Sequence, residues 1–281
     1  MPIPTKMLPE AVLNKLKRHR SVYQTARGVR MSFGSLMGAR NIPGISGRVH
    51  FNDFMLDSTR SEDVEHYVKA GDETLTQIEG ALTVAGQTWG GLRSVLEFGC
   101  GYGRITRALI QKVAPERLAV CDVIAEGPRF CAREFNVRAV PVTPEITDCN
   151  LAPSDLVVFI SVHTHLSERR LEALQRRLID LLTPGGICFF TTMGTWSAND
   201  AERYGLRWAG EKQSILKDLN QHGIAFRPYG YYSDRDYGMT WTTYGYTTSQ
   251  LRRQHGDSLR LLRFEEGAQD GHQDFYVYQR V

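Results

Sequence analysis

Three glycines at alternate positions and one downstream carboxylate are the residues of this sequence best suited to chemistry. Gly99, Gly101 and Gly103 follow the apolar run at 95–98. This order is typical of a buried strand that leads into a tight turn. Glycine tolerates the positive φ angles of such a turn and puts no side chain between backbone and ligand. Asp122 closes the next apolar run, where a carboxylate can accept hydrogen bonds from both hydroxyls of a ribose. Together these residues predict a nucleoside ligand.

The loop also discriminates between nucleoside cofactors. A dinucleotide loop has its third glycine where this sequence has Arg104, which disfavours NAD. Glu97 before the Gly-x-Gly-x-Gly triplet, together with the run 98–104, resembles the first motif of class I S-adenosylmethionine methyltransferases. The ammonium and carboxylate of that cofactor suit an acidic strand end and exposed loop amides. A glycine turn without any ligand is the structural alternative.

The resemblance spans about residues 60–281 and implies a set of cofactor-binding residues. The implied set is Tyr67, Glu97, Gly99, Gly101, Arg104, Asp122, Asp148 and Ser161. In this set Glu97 and the glycines surround the methionine part, and Arg104 lies near its carboxylate. Asp122 binds the ribose. Tyr67 belongs to a helical segment that covers the cofactor in the family.

The resemblance does not decide which residue binds the adenine. Asp148, after the third predicted strand, is implied as the partner of the adenine amine, with Thr143 and Glu145 as competitors. Ser161, where the chain leaves the fourth predicted strand, is implied as a wall below the ligand. The stretches 155–166, 182–186 and 271–274 resemble a bacterial small-molecule or glycan subgroup of the class.

Two histidines are the candidate bases. His163 and His165 follow the fourth predicted strand, at the carboxyl edge where open α/β sheets bind ligands. An imidazole titrates in the range that proton transfer from a hydroxyl requires. The alternatives are a histidine that only satisfies a buried backbone group and a metal pair. The sequence has no third ligand nearby for a metal.

An aromatic segment at 194–246 is too long for a simple loop and is predicted to cover the site. Aromatic rings with polar tips suit a sugar or aromatic acceptor. The rings could instead form a small core of the segment itself. The candidate acceptor-binding residues are Tyr204, Trp208, Tyr232, Trp241 and Tyr244.

The elements that position these residues alternate between strand and helix. Strands are predicted at 94–98, 118–122, 138–142, 155–162 and 187–192, with helices at 104–113 and 127–135. A further helix has Ser167 as its cap and is ended by the turn 184–186, and the segment 61–80 forms one helix or two because of Gly71. This order predicts an α/β fold, a doubly wound Rossmann-like sheet. The runs 259–264 and 274–279 add an antiparallel hairpin at its C-terminal end.

The chain divides into an N-terminal helical arm and cap at 1–90 and a class I domain at 91–281. Of its 281 residues, 42% are hydrophobic, enough for a substantial core. The first 50 residues hold nine Lys or Arg against Glu10 alone. This basic arm could contact a membrane surface or other anions, although no nucleic-acid pattern is visible. Five cysteines without paired spacing, and the absence of an apolar span or secretory signal, predict a cytoplasmic protein.

We therefore expect an S-adenosylmethionine-dependent methyltransferase with no metal. The predicted reaction is O-methylation of a sugar, glycan or other small hydroxylated molecule. Two other functions stay open at this point: an NAD-type oxidoreductase, and a non-catalytic nucleoside-binding protein that has kept the fold.

Overall fold

A seven-stranded sheet forms the centre of the molecule in the computed structural model, which describes residues 49–50, 53, 55–56, 61–143, 149–200, 208–229 and 235–281. Its strand order is β3-β2-β1-β4-β5-β9-β8. The strands are β1 (Val95–Phe98), β2 (Leu118–Cys121), β3 (Arg138–Ala139), β4 (Ser154–Phe159), β5 (Leu182–Thr192), β8 (Leu259–Gln269) and β9 (Gln273–Arg280).

The first five strands are parallel, and β9 pairs antiparallel with both β5 and β8. β1, β2 and β4 are buried throughout, as parallel strands covered on both faces must be. The predicted fold class is therefore confirmed. The hairpin is longer than predicted, because β8 continues to Gln269 and leaves only residues 270–272 as the turn.

Helices cover both faces of this sheet. They are α1 (Ser61–Val84), α2 (Thr106–Leu109), α3 (Glu126–Phe135), α4 (Glu168–Asp180), α5 (Thr195–Asn199), α6 (Lys212–His222) and α7 (Tyr244–His255). One face packs against α1, α2 and α3 through residues such as Ile78, Leu109 and Phe135. The other packs against α4 and α7 through residues such as Leu174 and Leu251. This is the doubly wound arrangement.

Several predicted helix features differ in the structure. α1 is one continuous helix. The missing side chain of Gly71 lets this helix lie close to the start of α2, because a Cβ there would be 3.1 Å from the Arg104 carbonyl. α2 is shorter than the predicted 104–113 because the glycine turns extend to residue 105. The Ser167 hydroxyl donates to Asp236 and does not cap α4. α4 ends at Asp180, and residues 184–186 lie inside β5.

The segment after β5 folds into a unit that we call the insertion, residues 194–246. It contains α5, α6 and a two-stranded sheet of β6 (Ile224–Pro228) and β7 (Gly238–Thr242). Backbone hydrogen bonds join it to the main sheet: Thr242 N–H donates to the Met193 carbonyl at 2.8 Å, and Ser167 N–H donates to the Asp236 carbonyl at 2.8 Å. The insertion is thus attached where β4 and β5 end.

Among the described helices, none combines the length and the apolar character that crossing a membrane requires. Residues 1–48, which include most of the basic arm, lie outside the described residues.

Candidate active site

The glycine loop after β1 adopts the left-handed geometry that its sequence predicts. Gly99, Gly101 and Gly103 have φ angles of +78°, +50° and +90°, a region that disfavours other residues. A Cβ on Gly99 would collide with Val162, and one on Gly103 would lie 2.6 Å from the Phe135 ring. A Cβ on Gly101 would meet no atom within 4 Å. Gly99 and Gly103 therefore allow neighbouring side chains to pack closely against the loop. Gly101 leaves the surface of the loop accessible to a ligand.

Asp122 is fixed at the end of β2, beside this loop. Its Oδ2 accepts a hydrogen bond from Gly101 N–H at 2.9 Å, and its Oδ1 accepts one from Ile124 N–H at 2.8 Å. Burial raises the pKa of Asp122. Each carboxylate oxygen retains a lone pair for a further donor. The exposed side chains of Val123 and Ile124 add an apolar surface next to it.

Glu97 lies in β1 beneath α2 and is buried. The Thr106 hydroxyl donates a hydrogen bond to its Oε2 at 2.6 Å. Burial raises the pKa of Glu97 to about 8, because removing a carboxylate from water disfavours its charged form. At neutral pH the side chain is therefore mostly protonated in this state.

Tyr67 and two arginines lie where α1 crosses the loop. The Tyr67 hydroxyl donates to Asp53 Oδ2 at 2.6 Å and is buried. The Arg107 guanidinium lies 5.2 Å from the centre of the Tyr67 ring and donates to the Gly103 carbonyl at 3.1 Å. Arg104 is half-buried and makes no side-chain hydrogen bond or salt bridge within the described residues, although its charge acts on the buried Glu97. Arg104 is thus the cation that can take an anionic ligand group.

The exit of β4 is held in a strained backbone conformation. Ser161 has a φ of +58°, which costs a non-glycine residue free energy that its surroundings must offset. Its N–H donates to Thr191 Oγ1 at 2.8 Å, and its Oγ accepts from Gln273 Nε2 at 2.7 Å. Thr191 in turn donates to Gln273 Oε1 at 2.6 Å. This network joins the ends of β4, β5 and β9 at one edge of the sheet.

His163 lies inside the core and not in the cleft. It is 1% exposed, and its ring packs edge-on against Phe159 and Phe190. Neither ring nitrogen has a hydrogen-bond partner within the described part of the chain. Burial lowers the pKa of His163 to about 3. An acceptor hydroxyl cannot reach this ring, so the structure argues against the predicted role of His163 as a base.

His165, two residues further along, is exposed and belongs to a hydrogen-bonded chain. Its Nδ1 is hydrogen-bonded to the Tyr229 hydroxyl, which donates to Met239 Sδ at 3.2 Å. The imidazole reaches the surface, yet desolvation by the surrounding protein lowers the pKa of His165 to about 4. The ring is therefore neutral at physiological pH, and a bound acceptor has to stabilise its protonated form for it to act as a base.

The aromatic side chains predicted to bind the acceptor do not form one surface. Trp241 is completely buried in the core of the insertion, with Ile215 and Leu219, because β7 points it inward. Trp208 packs partly buried against the same cluster. Tyr244 lines a separate 220 Å³ cavity with Tyr278 and other residues. Tyr204, Tyr232 and the adenine-pocket candidate Asp148 lie outside the described residues.

Two residues of the site carried no predicted role. Gly127 is the second residue of α3, and a Cβ there would collide with the Gly101 carbonyl. Gln273 lies in the closing motif 271–274, but its contact with Ser161 spans 112 residues of sequence. No local pattern could identify either contact, since both depend on segments that meet only in the folded chain.

Comparisons with known proteins agree with this geometry. Residues 95–186, which carry the glycine loop, Asp122 and the β4 exit, match the family model of a methyltransferase domain. An S-adenosylmethionine-dependent methyltransferase from Clostridium acetobutylicum is similar, with 12% identity and a TM-score of 0.50 over 76% of this chain and 92% of that chain. No curated protein matches the sequence.

Two further solved structures are similar to the chain. An O-methyltransferase family protein from Burkholderia thailandensis has 12% identity and a TM-score of 0.48, over 93% of this chain and 70% of that chain. The N-methyltransferase NodS from Bradyrhizobium japonicum has 14% identity and a TM-score of 0.47, over 82% and 93%.

Proposed function

We propose that the chain is a class I methyltransferase that uses S-adenosylmethionine, and that it methylates an oxygen atom of a small hydroxylated molecule such as a sugar or glycan. The observation that carries the proposal is the position of the exposed His165, hydrogen-bonded to Tyr229 where β4 ends. Oxygen methylation needs a group that takes the hydroxyl proton, and this is the place where an open α/β sheet binds ligands.

The residues around the glycine loop fit the cofactor. A nucleoside needs an acceptor for its ribose hydroxyls, and the oxygens of Asp122 have lone pairs to spare. The apolar surface of Val123 and Ile124 suits the adenine face. Arg104 is available to the methionine carboxylate, and Glu97 to the ammonium through a change in protonation. When bound, the cofactor supplies a methyl group on a positively charged sulfur.

His165 would then hold the proton that the acceptor loses. The Tyr229 oxygen can accept from Nδ1–H of His165, and in that tautomer Nε2 carries the lone pair. In this tautomer Nε2 receives the hydroxyl proton while the acceptor oxygen forms its bond to the methyl carbon. The rigid attachment of the insertion keeps Tyr229 beside the β4 exit.

Calorimetry with S-adenosylhomocysteine and NAD tests the cofactor. We expect binding of the first and none of the second, because Arg104 replaces the glycine that a dinucleotide loop requires. A Gly101→Val variant should lose binding, since its side chain would occupy the open surface of the loop at a φ of +50°. Gly245→Val is the matched control, because a Cβ at Gly245 also meets nothing within 4 Å. Equal binding by both variants would contradict the assignment.

The role of His165 as a base is tested by measuring methyl transfer to small molecules in cell extracts and to a panel of hydroxylated acceptors. His165→Gln should lower turnover by about 10²- to 10⁴-fold while leaving the affinity for S-adenosylhomocysteine nearly unchanged. His222→Gln, at an exposed position on α6, controls for the loss of a surface imidazole. Because the pKa of His165 is lowered to about 4, wild-type turnover should decline only well below pH 6.5. If His165→Gln keeps more than about a third of the rate, the general-base role is wrong.

A further inference from the structure

Trp196 is an exposed aromatic ring held in place at the end of β5. The residue is 46% exposed and lies in α5, four positions after the last residue of the strand. Its indole N–H donates to the Gly271 carbonyl at 3.3 Å. A Cβ on Gly267, which has a φ of +63°, would lie 2.6 Å from the indole. The ring is therefore clamped against the β8–β9 turn while part of its surface faces solvent.

Two polar side chains, Asp270 and His272, flank in sequence the glycine that accepts from this ring. Asp270, in the turn, lies 3.6 Å from Nε2 of His66 on α1. His272 accepts a hydrogen bond on its carbonyl from Ser197, and its Nδ1 lies 3.4 Å from the Ser197 hydroxyl. Burial lowers the pKa of His272, so its ring is neutral near pH 7. The turn that holds the indole thus also carries a carboxylate and a neutral imidazole.

This group lies on the same edge of the sheet as the cofactor-binding loop. Gln273, the next residue after His272, bonds directly to Ser161 at the β4 exit. α1 carries His66 beside the turn and also packs Gly71 against the Arg104 carbonyl of the loop. The turn, α1, the glycine loop and the β4 exit therefore form one continuous rim. The described acceptor candidates lie elsewhere: Trp208 and Trp241 in the core of the insertion, and Tyr244 at the separate cavity.

We propose that Trp196, Asp270 and His272 form the subsite that binds a sugar ring of the acceptor, which rests on the proposed function. The apolar C–H face of a pyranose packs on an indole, and a carboxylate and an imidazole accept hydrogen bonds from its hydroxyls. An amine acceptor is disfavoured because the neighbouring carboxylate stabilises its protonated form, which has no lone pair for the methyl group.

The test measures methyl transfer from labelled cofactor to a panel of methyl glycosides of common hexoses, deoxyhexoses and pentoses, with a matched panel of primary amines. We expect at least one glycoside to react. Trp196→Ala should raise its KM at least tenfold with unchanged affinity for S-adenosylhomocysteine, and Asp270→Asn should raise it severalfold. Val84→Ala, at an exposed apolar side chain on the last residue of α1, should keep the wild-type KM.

Trp196→Phe covers the case in which the alanine variant fails to fold, since it keeps a ring and removes only the indole N–H bond. We expect it to have an intermediate KM at wild-type thermal stability. An unchanged KM in both Trp196 variants, a panel in which only amines react, or a panel in which no glycoside reacts would overturn the subsite. Failure to bind S-adenosylhomocysteine, or to methylate anything in cell extracts, would instead count against the proposed function.

Discussion

Replacing His163 by leucine should make the protein less sensitive to acid. The imidazole is buried between Phe159 and Phe190 and has no hydrogen-bond partner among the described residues. Its pKa falls from 6.5 to about 3 on folding because burial disfavours the charged ring. The unfolded chain therefore binds a proton that the folded chain does not. The contribution of His163 to stability is lost as the pH falls from 6.5 toward 3.

The size of this effect follows from the two pKa values. At pH 5 the unfolded imidazole lies 1.5 pH units below its pKa of 6.5, which corresponds to about 2 kcal/mol of lost stability. His163→Leu removes the titrating group and keeps an apolar side chain of similar size. Between pH 7 and pH 5 the free energy of unfolding of the variant should therefore fall by ~2 kcal/mol less than that of the wild type. At pH 7 the variant should be at least as stable as the wild type, because the two unpartnered nitrogens of the imidazole are removed.

Urea unfolding at pH 7 and pH 5 measures the difference, with the exposed His222→Gln as control. Burial also raises the pKa of Glu97 to about 8 and that of Asp274 to about 7. These carboxyl groups stabilise the fold as the pH falls, but they are present in all three proteins and cancel in the comparison. If wild type and His163→Leu lose equal stability, the folded state protonates or hydrates this ring. The reasoning would then be refuted, and His163 would return as a candidate base.

Two further predictions concern the cofactor. Asp122→Ala should weaken binding of S-adenosylhomocysteine by about 1 to 3 kcal/mol through lost charged hydrogen bonds, measured by calorimetry, and an unchanged affinity would remove Asp122 from the site. Because the pKa of Glu97 is about 8 in the free protein, an ammonium bound beside it should favour ionisation and release close to one proton at pH 7. Titrations in buffers of different ionisation enthalpy count that proton, and a Glu97→Gln variant should release none; equal release by both proteins would exclude Glu97 as its source.

The sequence was most informative where one local feature determines both structure and chemistry. The glycine loop needs positive φ angles and an open surface, so residue type alone identifies it. The strand and helix order likewise follows from apolar runs and their spacing. The C-terminal hairpin was visible for the same reason, although its length was not, because bulges in β8 interrupt the alternation.

Prediction failed where the direction of a side chain depends on distant segments. His163 and His165 are two residues apart, but the short 3-10 turn that contains them directs the first into the core and leaves the second exposed. Trp241 was assigned to the acceptor on composition, yet β7 needs it to fill the core of the insertion. Trp196 was missed because its importance arises from contacts with Gly267 and Gly271, which belong to the hairpin.

The link between Ser161 and Gln273 has a consequence for how the enzyme acquires its activity. The two residues are 112 positions apart, and Gln273 opens the strand that inserts between β5 and β8. A nascent chain that has completed all five parallel strands therefore still lacks the side chain that holds the β4 exit in shape. During that interval β5 is an unprotected edge, open to pairing with other chains. In the folded protein β9 covers that edge and brings Gln273 to Ser161, so this part of the site depends on a non-local contact.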